Sequence, residues 1–412
     1  MERRSVQLKK TLTLILAGGQ GERLYPLTKN RSKPSVPFGG IYRIIDFTLS
    51  NCLNSGLRKI FVLTQYKSLT LDAHIKQGWH IFNIDLGEFI YSVPPQQITS
   101  DSWYRGTADA VYQNIYLLEH IRPERVFVLS GDHIYKMDYS EMVSAHIDSG
   151  ADLTMACVEV PVDEAHRFGV VQVDAHQRVV GFQEKPPSPM TIPGQPDCCL
   201  VNMGVYLFNT HALVKSVIDD AKRDSQHDFG KNVLPDMIQS GFNVYAYNFR
   251  DINNKQASYW RDIGTIESYY AASMDLVSVD PLFNLYDGEW PIRTYSRQSP
   301  PVKTVFAQEE AGRAGVALDS LLSPGCIISG GRVERSIISP HVRVNSYSNI
   351  MDSILMDHVA IGRHCKIRSC IIDEGVIIPA ETVIGYDSEH DAKRFTVSPT
   401  GIVVVPSGIQ FD

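Results

Sequence analysis

The chain has 412 residues, of which 43% are hydrophobic and 21% are charged. This length predicts two or three compact units, and the composition is that of a globular protein with ample apolar material for a core. The 39 basic and 46 acidic side chains give a net charge of −7, which argues against a general nucleic-acid or membrane-surface binder. Any site for a phosphate group must therefore be local.

The sequence favours a location in the cytoplasm. Its longest apolar runs, such as Leu14–Ala17, fall far short of the ~20 residues that a membrane helix needs. The basic residues near the start lead into a short apolar stretch that meets Gly18 without a cleavage site, so we expect no secretion. The seven cysteines are odd in number and have no Cys-X-X-Cys spacing, which favours neither a disulfide framework nor a zinc site.

From residue 12 to about 280, apolar β-rich runs alternate with helical patterns, as in an α/β layer with a largely parallel sheet. The predicted strands are Leu12–Ala17, Ile60–Thr64, Val126–Leu129, Leu153–Val160 and Val205–Phe208. The spacing of Val111, Ile115 and Leu118 predicts a helix near 108–121, capped by Thr107. Two alternating runs, 168–173 and 179–183, flank a polar link and predict a hairpin.

The pattern changes after residue 280, where several prolines interrupt any regular element. We therefore predict a domain over 1–280, a linker over 281–315 and a second domain over 316–412. In the last region, small or apolar residues recur every six positions: Val359, Cys365, Ile371, Ile377 and Val383, and also Leu355, Ile361 and Ile367. A period of six is typical of a parallel β-helix. The alternative, a β-sandwich, would show hairpin turns about every 8 to 12 residues.

A glycine-rich turn follows the first predicted strand and contains Gly18, Gly19 and Gly21. Such a turn presents backbone N–H groups to an anion, because glycine tolerates the dihedral angles and the close approach. The spacing matches neither the dinucleotide fingerprint nor the P-loop. Arg23 and Lys33 would add positive charge for a triphosphate. A plain turn with a solvated arginine remains the alternative.

Two carboxylates are candidates for a magnesium site. Asp132 follows the predicted strand at 126–129, and the carboxyl ends of parallel strands are where open α/β sheets bind ligands. Asp262 precedes another helical stretch. Mg²⁺ prefers a few carboxylates together with phosphate oxygens, although an aspartate at a strand end is often only a helix cap. Lys185, after the hairpin, could neutralise a sugar phosphate or belong to a solvated charge pair with Glu184.

Taken together, eight motifs resemble the sugar-nucleotide pyrophosphorylases, and closely the bacterial glucose-1-phosphate adenylyltransferases (ADP-glucose pyrophosphorylases). They lie at Leu16–Leu24, Lys33-Pro34, Arg43–Phe47, Trp103–Ala110, Gly131–Tyr135, His227–Gly230, Tyr259–Gly264 and Trp290–Tyr295. The resemblance covers nearly the whole chain. It implies a Rossmann-like nucleotidyltransferase domain with a mixed, mostly parallel sheet, followed by a left-handed parallel β-helix, usually in a homotetramer.

The resemblance also implies roles for individual residues. The catalytic set would be Arg23, Lys33, Asp132, Lys185 and Asp262, with Mg²⁺ on the two aspartates. The nucleotide would contact Gly18, Gly19, Gly21, Gln96, Gln97 and Tyr104, and glucose 1-phosphate would contact Gly169, Glu184, Lys185 and Asn202. The implied reaction converts ATP and glucose 1-phosphate into ADP-glucose and diphosphate. In the family this is the allosterically regulated first step of glycogen synthesis.

Some positions depart from the family pattern. Many relatives have serine where this chain has Asn202, and some have a basic residue where it has Asn30. Arg31, Arg43 and Arg394 could bind an anionic effector, with ordinary surface arginines as the alternative. Two other functions stay open: an enzyme of the same fold that uses another nucleotide, and a non-catalytic regulatory subunit. The latter usually loses the metal aspartates or the sugar-phosphate lysine, all of which are present here.

Overall fold

The structure is a computed structural model that describes residues 2–96, 103–249, 258–308 and 313–411. Contacts group the chain into two compact units, Met1–Gly19 with Phe47–Trp260, and Gln20–Asp46 with Arg261–Asp412. The second unit thus includes residues 20–46, which the sequence pattern assigns to the first predicted domain. The predicted limits of the linker, near residues 280 and 315, stay predictions.

The helices and strands are listed here by their bounds. The helices in the described residues are α1 (Glu2–Lys9), α2 (Ile44–Asn54), α3 (Leu69–Gly78), α4 (Thr107–Tyr112), α5 (Ile115–Ile121), α6 (Tyr139–Asp148), α7 (Val162–Ala165), α8 (Thr210–Ala221), α9 (Leu234–Gln239), α10 (Ile266–Asp275) and α11 (Ser388–Ala392). The strands as far as residue 262 are β1 (Thr11–Ala17), β2 (Pro37–Phe38), β3 (Tyr42–Arg43), β4 (Lys59–Thr64), β5 (Phe89–Val93), β6 (Arg125–Ser130), β7 (His133–Tyr135), β8 (Leu153–Pro161), β9 (Gly169–Val173), β10 (Val179–Glu184), β11 (Cys198–Asn209), β12 (Val244–Asn248) and β13 (Trp260–Asp262). No described helix has the length and apolar character to cross a membrane.

The first unit is built on a mixed sheet that has nine strands within the described residues. Its order is β10-β9-β11-β6-β1-β4-β5, with β8 also paired to β11 and β12 paired to β8. Seven strands run in one direction, because only β11 and β10 are antiparallel to the rest. The central strand β1 is apolar and buried along nearly its whole length, as expected of a parallel strand covered on both faces.

The predicted strands of this unit are confirmed, as is the antiparallel hairpin of β9 and β10. The predicted helix near 108–121 is instead two helices, α4 and α5. Asn114 causes the break: its side-chain amide donates to the carbonyl of Ala110 at 2.8 Å, and its backbone N–H donates to Val111 instead. A side chain that takes over a helical carbonyl competes with the regular backbone bond.

The second unit contains the short antiparallel pair β2 and β3 and a left-handed β-helix. The remaining strands are β14 (Lys303–Val305), β15 (Ala307–Gln308), β16 (Arg313–Ala314), β17 (Val316–Leu318), β18 (Leu321–Leu322), β19 (Ile327–Ser329), β20 (Arg332–Glu334), β21 (Ile337–Ile338), β22 (Arg343–Val344), β23 (Asn349–Met351), β24 (Ile354–Leu355), β25 (Ala360–Ile361), β26 (Lys366–Arg368), β27 (Cys370–Ile372), β28 (Ile377–Ile378), β29 (Val383–Ile384), β30 (Thr396–Val397) and β31 (Val403–Val405). Most of them stack as parallel ladders that form the sides of the coils.

The predicted parallel β-helix is confirmed, and its period of six is interrupted by one shorter side in each coil. The β-helix core contains Ile350, Leu355, Ile361, Ile367, Ile372, Ile378 and Ile384, so one side of each coil has five residues and the other two have six. Because of the shorter side, a count in sixes drifts out of phase. Ile377 and Val383 lie on that count but are 71% and 44% exposed, whereas their neighbours Ile378 and Ile384 are buried.

Candidate functional site

In the first unit, three parallel strands end side by side and bring polar groups to one edge of the sheet. Leu16 is in register with Ser130, and Ala17 with Thr64. The residues that follow these strands, Gly18, Gln65 and Asp132, therefore share that edge. The carboxyl edge is where an open α/β sheet binds its ligand.

Two of the predicted nucleotide residues, Gly18 and Tyr104, lie beside a glutamine that the sequence analysis did not name. A Cβ on Gly18 would lie 3.1 Å from Cβ of Gln65, while one on Gly19 would have no neighbour within 4 Å in the part of the chain that the structure describes. The Gln65 amide donates to the carbonyl of Tyr104 at 3.3 Å. The Tyr104 hydroxyl accepts from Asn114 at 2.8 Å, and burial raises the pKa of that phenol. This region combines open space, backbone and a fixed aromatic ring.

The two other predicted nucleotide residues are not part of that group. Gln96 is exposed, and its amide donates to the carbonyl of Pro94 in its own segment at 3.0 Å. Gln97 lies outside the described residues. Their contact with a nucleotide stays a prediction.

Asp132 lies just beyond β6, with 26% of its side chain exposed. Its carboxylate accepts a hydrogen bond from the Ser130 hydroxyl and lies 3.5 Å from Nε2 of His133. A half-buried carboxylate that keeps access to solvent is a suitable oxygen ligand for Mg²⁺. The residue types at this point fit the predicted metal.

The predicted sugar-phosphate residues meet where the hairpin opens. Gly169 is paired with Glu184 across the two strands, and Oε2 of Glu184 lies 3.1 Å from the position of a Cβ on Gly169 and 3.0 Å from that of one on Gly230. Lys185 has a left-handed backbone, with φ of 48°. Its ammonium group lies 3.5 Å from Glu184 and its side chain is 58% exposed. The lysine is therefore accessible to a phosphate.

Asn202 lies on the long strand β11 beside this group. Its amide donates to the Tyr206 hydroxyl at 2.6 Å, and its side-chain oxygen accepts from the backbone of Gly204 at 3.0 Å. A Cβ on Gly204 would lie 3.4 Å from the ring of His133. Asn202 is thus linked through Gly204 to the neighbour of Asp132, and its own polar atoms already have partners.

The residues predicted to contact the triphosphate within the second unit also lie together. Nζ of Lys33 lies 3.1 Å from Oδ1 of Asp262, and the two side chains are 11% and 32% exposed. A Cβ on Gly264 would lie 3.2 Å from Asp262 and 3.4 Å from the Arg23 guanidinium. Gly21 has a left-handed φ of 67° and packs against Lys33. Two cations, one carboxylate and a glycine turn thus form one cluster.

Two of the three predicted effector arginines share a partner in the same unit. Arg31 pairs with Asp373 at 2.7 Å and with Glu374 at 3.6 Å, and Arg43 pairs with Glu374 at 3.7 Å. Arg394 lies over the rings of Phe395 and Phe411. Arg394 also lines a cavity of about 540 Å³. Arg31 and Arg43 therefore belong to one ionic network, and Arg394 to an aromatic cluster.

The sequence analysis named Thr107 only as a helix cap and gave Asp228 no role, although both lie in quoted motifs; in the structure Thr107 is the first residue of α4 and Gly106 precedes it as the cap. The Thr107 hydroxyl donates to Asp228 at 3.0 Å and accepts from the backbone of Phe229 at 2.9 Å. A threonine at a helix start and an aspartate in a turn are common, so neither gave a signal by itself. Only the folded chain shows that they join α4 to the turn beside Glu184.

Comparison with known proteins shows the family of this chain. Residues 12–279 match the nucleotidyl transferase family, and residues 300–405 match the GlmU-like C-terminal hexapeptide family. The chain belongs to the nucleotidyl transferase family. It is an enzyme of that type, with a nucleotidyltransferase region and a region of hexapeptide repeats.

Relatives of similar length carry one name. A glucose-1-phosphate adenylyltransferase of Koribacter versatilis is 55% identical over 96% of this chain and 95% of its own length. Proteins of the same name from Rhodopirellula baltica and an Anaeromyxobacter species are 54% and 50% identical, over 97% and 98% of this chain and 91% and 100% of their own lengths. The predicted resemblance to the glucose-1-phosphate adenylyltransferases is confirmed.

Proposed function

We propose that this protein transfers the adenylyl group of ATP to glucose 1-phosphate, forming ADP-glucose and diphosphate. The observation that carries the proposal is the placement of Glu184 against Gly169, with the accessible Lys185 as the next residue. A carboxylate suits sugar hydroxyls and a lysine suits a phosphate. The name shared by relatives at 50–55% identity supports the same substrates.

In the proposed reaction, a phosphate oxygen of glucose 1-phosphate attacks the α-phosphorus of ATP, and the bond from that phosphorus to the α–β bridging oxygen breaks. Lys185 would hold the attacking phosphate, while Arg23 and Lys33 would neutralise the leaving diphosphate. Phosphoryl transfer depends mainly on positioning and electrostatic stabilisation. The proposal therefore assigns no proton-transferring base.

The proposed metal ligands are Asp132 and Asp262. Both are partly exposed carboxylates, and hard oxygen ligands are what Mg²⁺ prefers. When bound, Mg²⁺ would supply positive charge for the phosphate oxygens. Asp262 also pairs with Lys33, so a bound metal ion and this lysine would share the carboxylate.

We further propose that the enzyme acts in the cytoplasm as a homotetramer, at the first step of glycogen synthesis, under control of anionic effectors. The arginines predicted for the effectors are Arg31, Arg43 and Arg394. Their positive charge supports the assignment, and the carboxylates that pair with Arg31 and Arg43 would compete with an effector there. The tetramer and the pathway rest on family resemblance.

The decisive experiment measures diphosphate release by the purified protein from ATP and glucose 1-phosphate. We expect ADP-glucose as the second product, no turnover with EDTA, and recovery with excess Mg²⁺. UTP, GTP, CTP and dTTP are tested in parallel at equal concentration, because a higher kcat/KM with any of them would replace ATP as the proposed substrate. Absence of turnover with every nucleotide would favour the regulatory-subunit alternative.

A further inference from the structure

A buried histidine–aspartate pair lies behind the proposed sugar-phosphate residues. His227 is 1% exposed and Asp220 is 4% exposed, and Nδ1 of the histidine lies 2.8 Å from the aspartate. Ser225 completes the group: its hydroxyl donates to Asp220 at 2.8 Å and accepts from the backbone of His227 at 3.0 Å. Ionisable groups are rarely buried this deeply unless they are paired. The pairing lets the three side chains remain inside the protein, where they can fix the position of neighbouring backbone.

The arrangement does not suit nucleophilic catalysis. In a serine–histidine–aspartate triad, the serine and the aspartate bind opposite nitrogens of the ring. Here Ser225 and Asp220 both lie at Nδ1 of His227, at 3.1 and 2.8 Å, while Nε2 is buried and has no hydrogen-bond partner among the described residues. The contacts therefore fix the ring in place, with Nδ1–H donating to the aspartate.

The pair holds a strained point of the backbone. His227 has φ of 51°, a left-handed conformation that residues other than glycine rarely adopt. Its carbonyl accepts from the backbone N–H groups of Ala108 at 2.8 Å and Asp109 at 3.4 Å. The carbonyl of His227 thus satisfies two N–H groups in the first turn of α4, which would otherwise lack partners within the helix.

The same segment reaches the sugar-phosphate residues within three positions. Asp228 binds Thr107 at the start of α4, and Gly230 lies against Oε2 of Glu184. A Cβ on Gly106 would collide with the carbonyl oxygen of His227, so the backbone of His227 packs directly against the residue that precedes α4. A movement of His227 would therefore be transmitted to Glu184.

We propose that His227 and Asp220 are positioning residues for glucose 1-phosphate. They hold the turn 228–230 against Glu184 and so fix the carboxylate that faces the sugar. The inference rests on the proposed function, because it takes Glu184 and Lys185 as the residues that bind glucose 1-phosphate. Neither residue of the pair touches the substrate.

The test compares His227→Ala with His227→Asn. The alanine removes the bond to Asp220, whereas asparagine keeps a donor near the position of Nδ1 and tolerates the left-handed conformation. A misplacement of about 1 Å costs roughly 10²-fold in rate, so we expect His227→Ala to lower kcat/KM for glucose 1-phosphate by about that factor. KM for ATP should change less than about threefold, and His227→Asn should recover most of the loss.

His146→Ala is the matched control, because His146 is also a buried, hydrogen-bonded histidine of the first unit. A generic loss of stability would affect both alanine variants alike. The inference is overturned if His227→Ala impairs the use of ATP as much as that of glucose 1-phosphate, or if His146→Ala also impairs the use of glucose 1-phosphate selectively. If His227→Ala does not fold, the same measurement on Asp220→Asn decides. Wild-type turnover is measured first: its absence would contradict the proposed function, whereas an active wild type with an unchanged His227→Ala would contradict only the positioning role.

Discussion

The guanidinium group of Arg31 lies 2.7 Å from the carboxylate of Asp373, and their side chains are only 6% and 4% exposed. The two residues are 342 positions apart, so this pair ties the early segment of the second unit to its β-helix. Burial raises the pKa of Asp373, and the positive charge of Arg31 opposes that rise. The charged form is therefore maintained by its partner.

Removing the charge of Asp373 should strongly destabilise the second unit. We expect Asp373→Asn to lower its free energy of unfolding by up to about 3–5 kcal/mol, because the buried Arg31 would lose its shorter ion pair and retain the one with Glu374 at 3.6 Å. The measurement is urea denaturation with a probe in that unit. As a control, Arg335→Gln breaks an equally short but more exposed pair in the same unit, with Asp352 at 2.7 Å, and should cost no more than about 1 kcal/mol. Equal effects would contradict the argument.

Asp132 should be essential for turnover. Loss of one preorganised electrostatic group typically costs ~10²–10³ in kcat, and we expect Asp132→Ala to lose at least that much at saturating Mg²⁺. Steady-state diphosphate release is the measurement. Asp219→Ala is the matched control, since it removes an exposed carboxylate that pairs with Lys222 on the surface. Near-normal turnover of Asp132→Ala would remove this residue from the metal site.

Lys185 should act mainly on glucose 1-phosphate. A hydrogen bond to a charged group contributes about 1.5–3 kcal/mol, so we expect Lys185→Ala to raise KM for glucose 1-phosphate by roughly 10- to 100-fold, with little change for ATP. The control is Lys222→Ala, because Lys222 is similarly exposed and also lies beside a carboxylate. If both variants behave alike in initial-rate assays, Lys185 is only a surface charge.

His146 should make the first unit sensitive to acid. Asn209 donates to Ala151 and so turns its oxygen towards Nε2 of His146, which carries the proton, while Nδ1 accepts from Thr154 at 2.8 Å. Burial lowers the pKa of His146 below its ordinary value. Protonation of His146 to the imidazolium is therefore easier in the unfolded chain than in the folded one. The stability that neutral His146 contributes to the fold is present above about pH 6.5 and is lost as the pH falls through the lowered pKa.

The check for His146 is the midpoint of thermal unfolding between pH 8 and pH 5. We expect the midpoint of the wild type to fall towards pH 5 more steeply than that of His146→Gln, which cannot titrate. The glutamine variant will be less stable at pH 8, so the slopes are compared and not the absolute values. Parallel curves for the two proteins would show that another group controls the acid response.

The elements that sequence reasoning found are those with a strong local pattern. The strand that becomes β1 contains the apolar run Leu14–Ala17, and such a run, followed by the turn residues Gly18 and Gly19, indicates a buried strand. The glycines beside it and Asp132 were found because they follow that strand and β6. By contrast, the break at Asn114 depends on where one side-chain amide donates. A hydrophobic period does not carry that information.

Contacts between distant residues could not be predicted in this way. From the sequence, Arg31 is a candidate to bind an anionic effector, and only the fold shows that it forms an ion pair with Asp373. Gln65 stands after an unremarkable strand, and its place beside Gly18 follows from strand register. His227 lies in a quoted motif, but its role depends on Asp220, which comes from the preceding helix α8.

The β-helix offers a direct test of the five-residue side, because two adjacent isoleucines face opposite ways. Ile378 is 1% exposed and belongs to the core, whereas Ile377 is 71% exposed. We expect Ile378→Ala to lower the free energy of unfolding of the second unit by about 2–5 kcal/mol, and Ile377→Ala to change it by no more than about 0.5 kcal/mol. A regular count in sixes from Val359 predicts the reverse, since it turns Ile377 inward. Urea denaturation of the two variants side by side therefore distinguishes the two registers.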